Sequence, residues 1–378
     1  MKLIKRTYLD ELTKIIGTPD IKVITGVRRC GKSKLLEAFK KYIKENIEDY
    51  NIIDINFNIP KFDKLMEYHK LYDYVEKKYI EGKRNFLLID EVQMCKEFER
   101  AINGFHAEEK YDIYITGSNA FLLSSDLATL FTGRTYEIEI FPFSFKEYLE
   151  YFKTKDIQEA FDKYVFTGGM SGAYVYEEDK QKYNIQNIEL MNSLSEFLMD
   201  NISNLTSYRS IAGKLNEKNT ITNDKTIGSY IKYLCDAFAF YKIRRYDIQG
   251  KKYLSTIDKY YLVDHAFKFA KIGTKDVNYG RVYENIVAIE LLRRGYEVYV
   301  GTLYNKEVDF VAMKRDEKIY IQVADNIDYE DTLKREVSPL LQIRDAYPKV
   351  IIARTRHDNY TYEGVEIKDI ANWLASEE

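Results

Sequence analysis

Residues 26 to 33 read Gly26-Val27-Arg28-Arg29-Cys30-Gly31-Lys32-Ser33, matching the spacing GxxxxGK[ST]. Each fixed position has a chemical reason. Glycines let backbone N–H groups wrap phosphate oxygens, the lysine neutralises β- and γ-phosphate charge, and the final hydroxyl ligates magnesium. With Lys34 in the next position, these residues form an expected binding set for ATP, and Ser33 is an expected Mg²⁺ ligand. A second signal is the apolar run Phe86-Leu87-Leu88-Ile89, which ends in Asp90-Glu91. Asp90 is expected to hold Mg²⁺ and Glu91 to polarise water, an arrangement that favours hydrolysis over transfer to an acceptor substrate. Further on, Gly117-Ser118-Asn119 closes the run IYIT, where Ser118 or Asn119 would hydrogen-bond the γ-phosphate or the attacking water. Gly133-Arg134 adds a guanidinium that would pair with phosphate, from its own chain or from a neighbour. Plainer structural readings stand beside these: a glycine turn, an acidic helix cap, a turn-forming Gly-Ser-Asn cluster and an exposed arginine.

Such groups need strands and helices to hold them. Ile21–Thr25 is a short β-branched run before the loop, and Leu35, Leu36, Phe39 and Ile43 recur at helical spacing after it. Further strand-like runs at 52–57, 85–90, 113–116 and 136–141 alternate with helix-length segments. Five strands separated by helices predict an α/β fold, a P-loop NTPase with a five-stranded parallel sheet over residues 1–150. Residues 151–205 turn helical and polar, as a lid or bridge with a turn at Gly168-Gly169. Residues 206–265 read helix, helix, two strands, the order of a winged helix. Residues 266–378 form a third α/β unit.

Taken in order, GVRRCGKSKLL, FLLIDEVQ, ITGSNAFLLSSDL, TGR and IEIFPFSFKEYL resemble the AAA+-related ATPases that carry a C-terminal DUF4143 domain. In the second half the resemblance rests on YENIVAIELLRRGYEVYV, EVDFVA and REVSPLLQIRDAYPKVII. It implies that the strand ending at Ser118 lies between the strand before Lys32 and the strand before Asp90. It also implies that Arg134 is the arginine of the ATPase site. The C-terminal unit is similar to the restriction-endonuclease core, with Glu284 on a helix and Asp309 on a strand. Where an active member has Glu-x-Lys, this chain has Gln322-Val323-Ala324. An amide and a methyl group replace a carboxylate and an ammonium, so the nuclease-like domain is expected to be inactive unless Lys314 or Lys318 substitutes.

Composition narrows the classes. With 45% hydrophobic and 31% charged residues the chain is globular, and 57 Lys+Arg against 60 Asp+Glu leave no global basic field. A nucleic-acid surface must therefore be local. Lys225, Thr226, Ser229, Lys232 and Tyr233 on the second winged-helix helix, with Arg244, Arg245, Lys251 and Lys252 around the wing, are the residues placed to contact duplex DNA. The 34 tyrosines are assigned to AT-rich coding. Three scattered cysteines and four histidines form no disulfide framework or zinc pattern, and the absence of a long apolar run predicts a cytoplasmic protein without a membrane partner. The expectation is a Mg²⁺-dependent ATPase coupled to DNA association or assembly. Alternatives are an ATP-switched scaffold that binds protein and an ATP-dependent nuclease.

Overall fold

The computed structural model describes residues 6–117, 131, 133–170, 188–217, 222–250, 252–274 and 277–376. It divides into two compact units, one of residues 1–141 and 236–238, the other of residues 142–235 and 239–378.

In the first unit, α1 (Thr7–Lys14) leads to β1 (Ile21–Thr25), α2 (Lys32–Asn46), β2 (Tyr50–Asn56), α3 (Tyr68–Glu76), β3 (Arg84–Asp90), α4 (Phe98–Ala107), β4 (Tyr111–Thr116) and β5 (Thr135–Glu139). All five strands are parallel, in the order β2-β3-β4-β1-β5. The expected sheet is present, and β4 lies between β1 and β3 as the resemblance implied. Helices cover both faces, so β3 is apolar without alternation: Phe86, Leu87, Leu88 and Ile89 are all fully buried. On one face Phe39 of α2 packs edge-on against Phe86 and tilted against Tyr114, with ring centroids 6.3 and 4.6 Å apart. On the other, Ile55, Leu87, Ile89, Ile113 and Ile115 meet Leu71, Val75, Ala101, Ile102 and Phe105 of α3 and α4. Lys22, buried in β1, is satisfied by Asp112 Oδ1 at 2.7 Å and the Thr18 carbonyl at 2.6 Å.

The second unit begins at Pro142, so the boundary expected at 150 falls inside a helix. That helix, α5 (Phe145–Phe152), starts with a reciprocal capping box between Ser144 and Glu147. There follow α6 (Ile157–Thr167), α7 (Ile188–Asp200), α8 (Tyr208–Glu217), α9 (Asp224–Asp236), β6 (Phe240–Asp247), β7 (Lys252–Leu262) and α10 (Ala266–Ile272). At Gly168-Gly169, where a turn was expected, Gly168 caps the end of α6 and the chain bends at Gly169; the Asp264 carboxylate accepts from the N–H groups of Gly169 and Met170 at 2.9 and 2.7 Å. The remainder is α11 (Tyr279–Arg293), β8 (Glu297–Leu303), β9 (Lys306–Lys314), β10 (Glu317–Ala324), α12 (Glu330–Leu341), β11 (Lys349–Ala353), β12 (Tyr360–Tyr362), β13 (Val365–Asp369) and α13 (Ile370–Ala375).

Helix, helix, hairpin is thus the observed order over 206–265, and Thr206 makes an isolated antiparallel bridge to Asp258 of the hairpin. The hairpin is not a separate layer, however. β6 pairs in parallel with β8, so one eight-stranded sheet runs β12-β13-β11-β10-β9-β8-β6-β7. Gly301 lets this junction close. A Cβ there would lie 2.9 Å from Ile248 Cδ1 and 3.0 Å from Val308 Cβ.

Candidate functional site

The GxxxxGK[ST] loop leaves β1 at the carboxyl edge of the sheet and enters α2, where ligands bind in open α/β folds. Its two glycines are required by geometry. Gly26 has φ +132°, and a Cβ there would stand 2.2 Å from the Ile140 carbonyl oxygen. Gly31, at φ +105°, opens α2 with no side-chain cap, which leaves the first-turn amides for an anion. Lys32 is buried and its ammonium donates to the carbonyls of Gly26 and Val27 at 2.8 and 3.0 Å, with Cys30 Sγ 4.0 Å away. Val27 and Cys30 are buried wall of the loop. Arg28 is half-buried, and Arg29 is exposed in the left-handed region. Lys34 turns outward to Glu37 at 2.8 Å and its side chain is 60% exposed, so its ammonium does not join the loop.

β3 delivers Asp90 beside this loop. Burial pushes its carboxyl above the usual carboxylate range, and hydrogen bonds from Thr116 and Ser33 oppose that push. Ser33 is the second residue of α2, straight after Lys32, and a donor set of hydroxyl and carboxylate oxygens from Ser33 and Asp90 fits Mg²⁺. Asn56, at the end of β2, donates to the other Asp90 oxygen at 2.9 Å. Glu91 follows in the left-handed region, φ +58°, a conformation rare for a residue with a Cβ and concentrated at functional sites. Its N–H donates to Thr116 Oγ1 at 3.1 Å, and its carboxylate accepts from Gln93.

Ser118 and Asn119 lie outside the described residues. The β4 residue that reaches Asp90 is Thr116, which the sequence did not single out, and Asn56 was missed as well. Both are polar residues closing apolar strands, which is the one signal that marks them. Arg6 carried no signal; buried, it donates to the carbonyls of Cys30 and Phe141 at 2.9 and 2.7 Å and ties the loop to the end of β5.

Arg134 is not brought to the other site residues. Its carbonyl accepts from Ile21 N at 2.8 Å, at the amino end of β1, and its exposed guanidinium reaches Asn103 Oδ1 at 3.5 Å. At about 3.3 Å per strand residue, the loop is about 15 Å away.

In the second unit Lys225, Ser229 and Lys232 are exposed along one face of α9, and Thr226 and Tyr233 are partly buried. Arg244 is exposed, while Arg245 Nε is held by Thr302 Oγ1 at 3.2 Å. Lys251 and the side chain of Lys252 lie outside the described residues. Glu284 and Asp309 come together, but around Lys259 of β7, a residue the sequence did not mark. Lys314 is taken by the Arg294 carbonyl at 2.7 Å and Lys318 lies over the rings of Tyr246, Tyr320 and Tyr347, so neither approaches them.

A family model described as "AAA domain" matches residues 18–149, and together with the sheet order and the loop it defines the first unit as an AAA+-like P-loop fold of the ATPase class. An uncharacterized protein of Haemophilus influenzae is 36% identical over 395 aligned positions, covering 98% of each chain, and the present chain belongs to its family. The uncharacterized protein MJ1544 of Methanocaldococcus jannaschii is 28% identical over 373 positions, 88% of this chain and 78% of its own. Among solved structures, AMPPCP-bound DnaA from Aquifex aeolicus aligns at 18% identity and TM-score 0.27, over 60% of this chain and 85% of that one. The second model to match, over residues 172–278, is "Domain of unknown function (DUF8612)" and not the expected DUF4143 domain. That match ends before Tyr283, where the quoted C-terminal motifs begin.

Proposed function

We propose that the chain is a Mg²⁺-dependent ATPase of the cytoplasm that couples its nucleotide state to association with duplex DNA and to contact between its own copies. The observation that carries the ATPase reading is the meeting of Lys32, Ser33, Asp90 and Glu91 at one edge of the parallel sheet. In this reading Lys32 exchanges its two loop carbonyls for phosphate oxygens. Ser33 and Asp90 hold Mg²⁺, which when bound neutralises charge on the phosphates. Glu91, aimed by its left-handed backbone, orients and polarises the attacking water, and Asn56 and Thr116 keep Asp90 from turning away. These groups are fixed before the reaction, so little reorganisation is needed as charge develops. Arg134, about 15 Å from its own loop by strand rise, serves the site of an adjacent copy.

The DNA reading rests on the face of α9 that exposes Lys225, Ser229 and Lys232, which are spaced four and three residues apart and so project together. With the hairpin and the Thr206 bridge this segment is read as a winged helix fused to a nuclease-like sheet.

Isothermal titration with Mg·ATP tests the first part. Lys32→Ala is expected to abolish binding, whereas Glu91→Gln keeps binding and accumulates the ATP-bound state without turnover. Equal affinity in wild type and Lys32→Ala removes the nucleotide-site assignment.

A further inference from the structure

Arg6 reaches the nucleotide loop from outside the GxxxxGK[ST] motif. Its side chain is buried, and its guanidinium bonds backbone on two sides: Nη1 donates to the Cys30 carbonyl at 2.9 Å and Nη2 to the Phe141 carbonyl at 2.7 Å. A Cβ on Gly31 would stand 3.5 Å from the same Nη1, so the guanidinium rests against the Cys30-Gly31 peptide itself. Its other contacts brace it. The guanidinium lies 5.1 Å from the centroid of the Tyr8 ring, and Tyr8 OH accepts from Phe141 N at 3.2 Å. Ile140 N donates to Thr25 O at 2.9 Å, which fixes the neighbour of Phe141 to the strand that feeds the loop.

A trans peptide is planar, and its C=O and N–H point in opposite directions. The Cys30-Gly31 bond is trans. Holding the Cys30 carbonyl toward Arg6 therefore turns the Gly31 N–H away from Arg6, where no carbonyl among the described residues accepts it. The backbone N–H groups of a GxxxxGK[ST] loop are the donors it offers to phosphate. A cation bonded to the carbonyl also polarises the peptide and strengthens the N–H on the far side. Gly31 cannot supply this aim itself, because at φ +105° it sits in a region that glycine enters freely and it has no side chain to anchor it. Lysine would not replace Arg6. An ammonium is a point charge on a flexible stem, whereas the planar fork of arginine meets two carbonyls at once.

We propose that Arg6 is a positioning residue of the phosphate loop: by holding the Cys30 carbonyl against the end of β5 it aims the Gly31 N–H at the bound phosphate. The proposal rests on the nucleotide-binding reading of the loop. It makes the phosphate affinity of that loop depend on a residue 24 positions upstream of Cys30. Without the aim, one hydrogen bond to a charged group is lost, which is roughly 10- to 100-fold in nucleotide affinity.

The test uses the full chain labelled with ¹³C at the cysteine carbonyls and ¹⁵N at glycine. Cys30-Gly31 is the one Cys-Gly step in the sequence, so a nuclear magnetic resonance experiment that correlates each amide with the preceding carbonyl gives a single signal, from this peptide. In wild type that signal moves on addition of Mg·ADP, which avoids turnover. Arg6→Lys keeps the charge and loses the fork. In the nucleotide-free protein it is expected to shift the Cys-Gly signal while most other glycine amides stay in place. Isothermal titration is expected to show Mg·ADP binding weakened by roughly 10- to 100-fold. A staple that only stabilises the fold would lower Tm and leave the signal and the affinity of the folded protein as they are. Where Arg6→Lys does not fold, Arg6→Gln carries the same two readouts. Affinity within a few-fold of wild type in a folded variant, or an unmoved Cys-Gly signal, overturns the proposal and leaves the nucleotide reading standing. Failure of both variants to fold makes Arg6 a structural staple and overturns it as well. A wild type that binds neither Mg·ADP nor Mg·ATP overturns both.

Discussion

Arg134 lies at the end of β1 opposite the GxxxxGK[ST] loop, and in the proposed ATPase that position makes a quantitative prediction about mixtures. An extended arginine reaches about 7 Å from its Cα, roughly half of the 15 Å or so between the Ile21 end of β1 and the loop. An arginine that acts on transition-state charge contributes on the order of 10³ to 10⁵ in rate, or roughly 4 to 7 kcal/mol. Arg134→Ala is therefore expected to bind ATP normally and to turn over at least a thousand-fold more slowly, on the order of those figures. Glu91→Gln is inactive for a different reason, because it lacks the group that polarises water, yet it retains its arginine. Mixed in equal amounts, a productive junction needs an Arg134→Ala copy with its intact Glu91 beside a Glu91→Gln copy with its intact Arg134. Random pairing makes such junctions roughly one quarter of the total in a head-to-tail assembly, so phosphate release should recover to about a quarter of wild type per chain. The assay is steady-state phosphate release at saturating Mg·ATP, for each variant alone and for the mixture over a range of protein concentration. Turnover of Arg134→Ala within a few-fold of wild type, or no recovery in the mixture of two folded variants, would refute the reasoning and leave Arg134 a surface residue.

Thr116→Val removes a hydrogen bond that favours the ionised form of Asp90, so it should cost about 1.5–3 kcal/mol in the Mg·ATP complex, or roughly 10- to 100-fold in affinity. Because burial already raises the Asp90 carboxyl, activity should fall as pH drops through its folded pKa, and Thr116→Val should move that acid limb to higher pH. The linkage sign for the nucleotide-free protein is opposite: the native state binds the extra proton, so Asp90 adds stability as pH falls through that pKa toward the ordinary carboxylate value, measurable as a rise in Tm. Charge reversal of Lys225 and Lys232 together should weaken duplex binding and reduce the slope of log affinity against log salt by about 2, seen by fluorescence anisotropy; Arg244→Glu is the companion variant, and unchanged affinity in both would favour a protein-binding scaffold. Incubation with linear, supercoiled or single-stranded DNA and Mg²⁺ or Mn²⁺ should give no cleavage. Products that vanish in Asp309→Ala but persist in Lys32→Ala would contradict this.

The first unit was legible because its chemistry is local in sequence. The strand, loop and helix from Ile21 to Ile43 are contiguous, and Phe86 to Ile89 is apolar without interruption because both faces of β3 are covered. Asn56 and Thr116 were not legible as site residues, since only the pairing of β2 and β4 with β3 brings them to Asp90. The boundary placed at 150 missed Pro142 and the Ser144 cap, which start a new helix while the composition stays the same. Alternation in β6 looks the same for a free wing as for a strand inside a sheet. Its partner, β8, lies some way downstream, and no local pattern announces the pairing. Lys259 reads as one of many lysines on a strand until α11 and β9 surround it with acid.

The parallel pairing of β6 with β8 also governs how the molecule can be cut. A fragment ending after β7 would strip β6 of its inner neighbour and bare the backbone of Arg245, Tyr246 and Asp247, which now pair with Val300, Gly301 and Thr302. A fragment beginning after β7 would leave β8 with the same raw edge, and Val300 beside it is fully buried. Unprotected strand edges of this kind recruit other chains. The segment matched by the DUF8612 model, residues 172–278, holds β6 but not β8, so on its own it should aggregate or find a substitute strand. Residues 142–378 keep every strand of the eight-stranded sheet paired as it is in the whole chain.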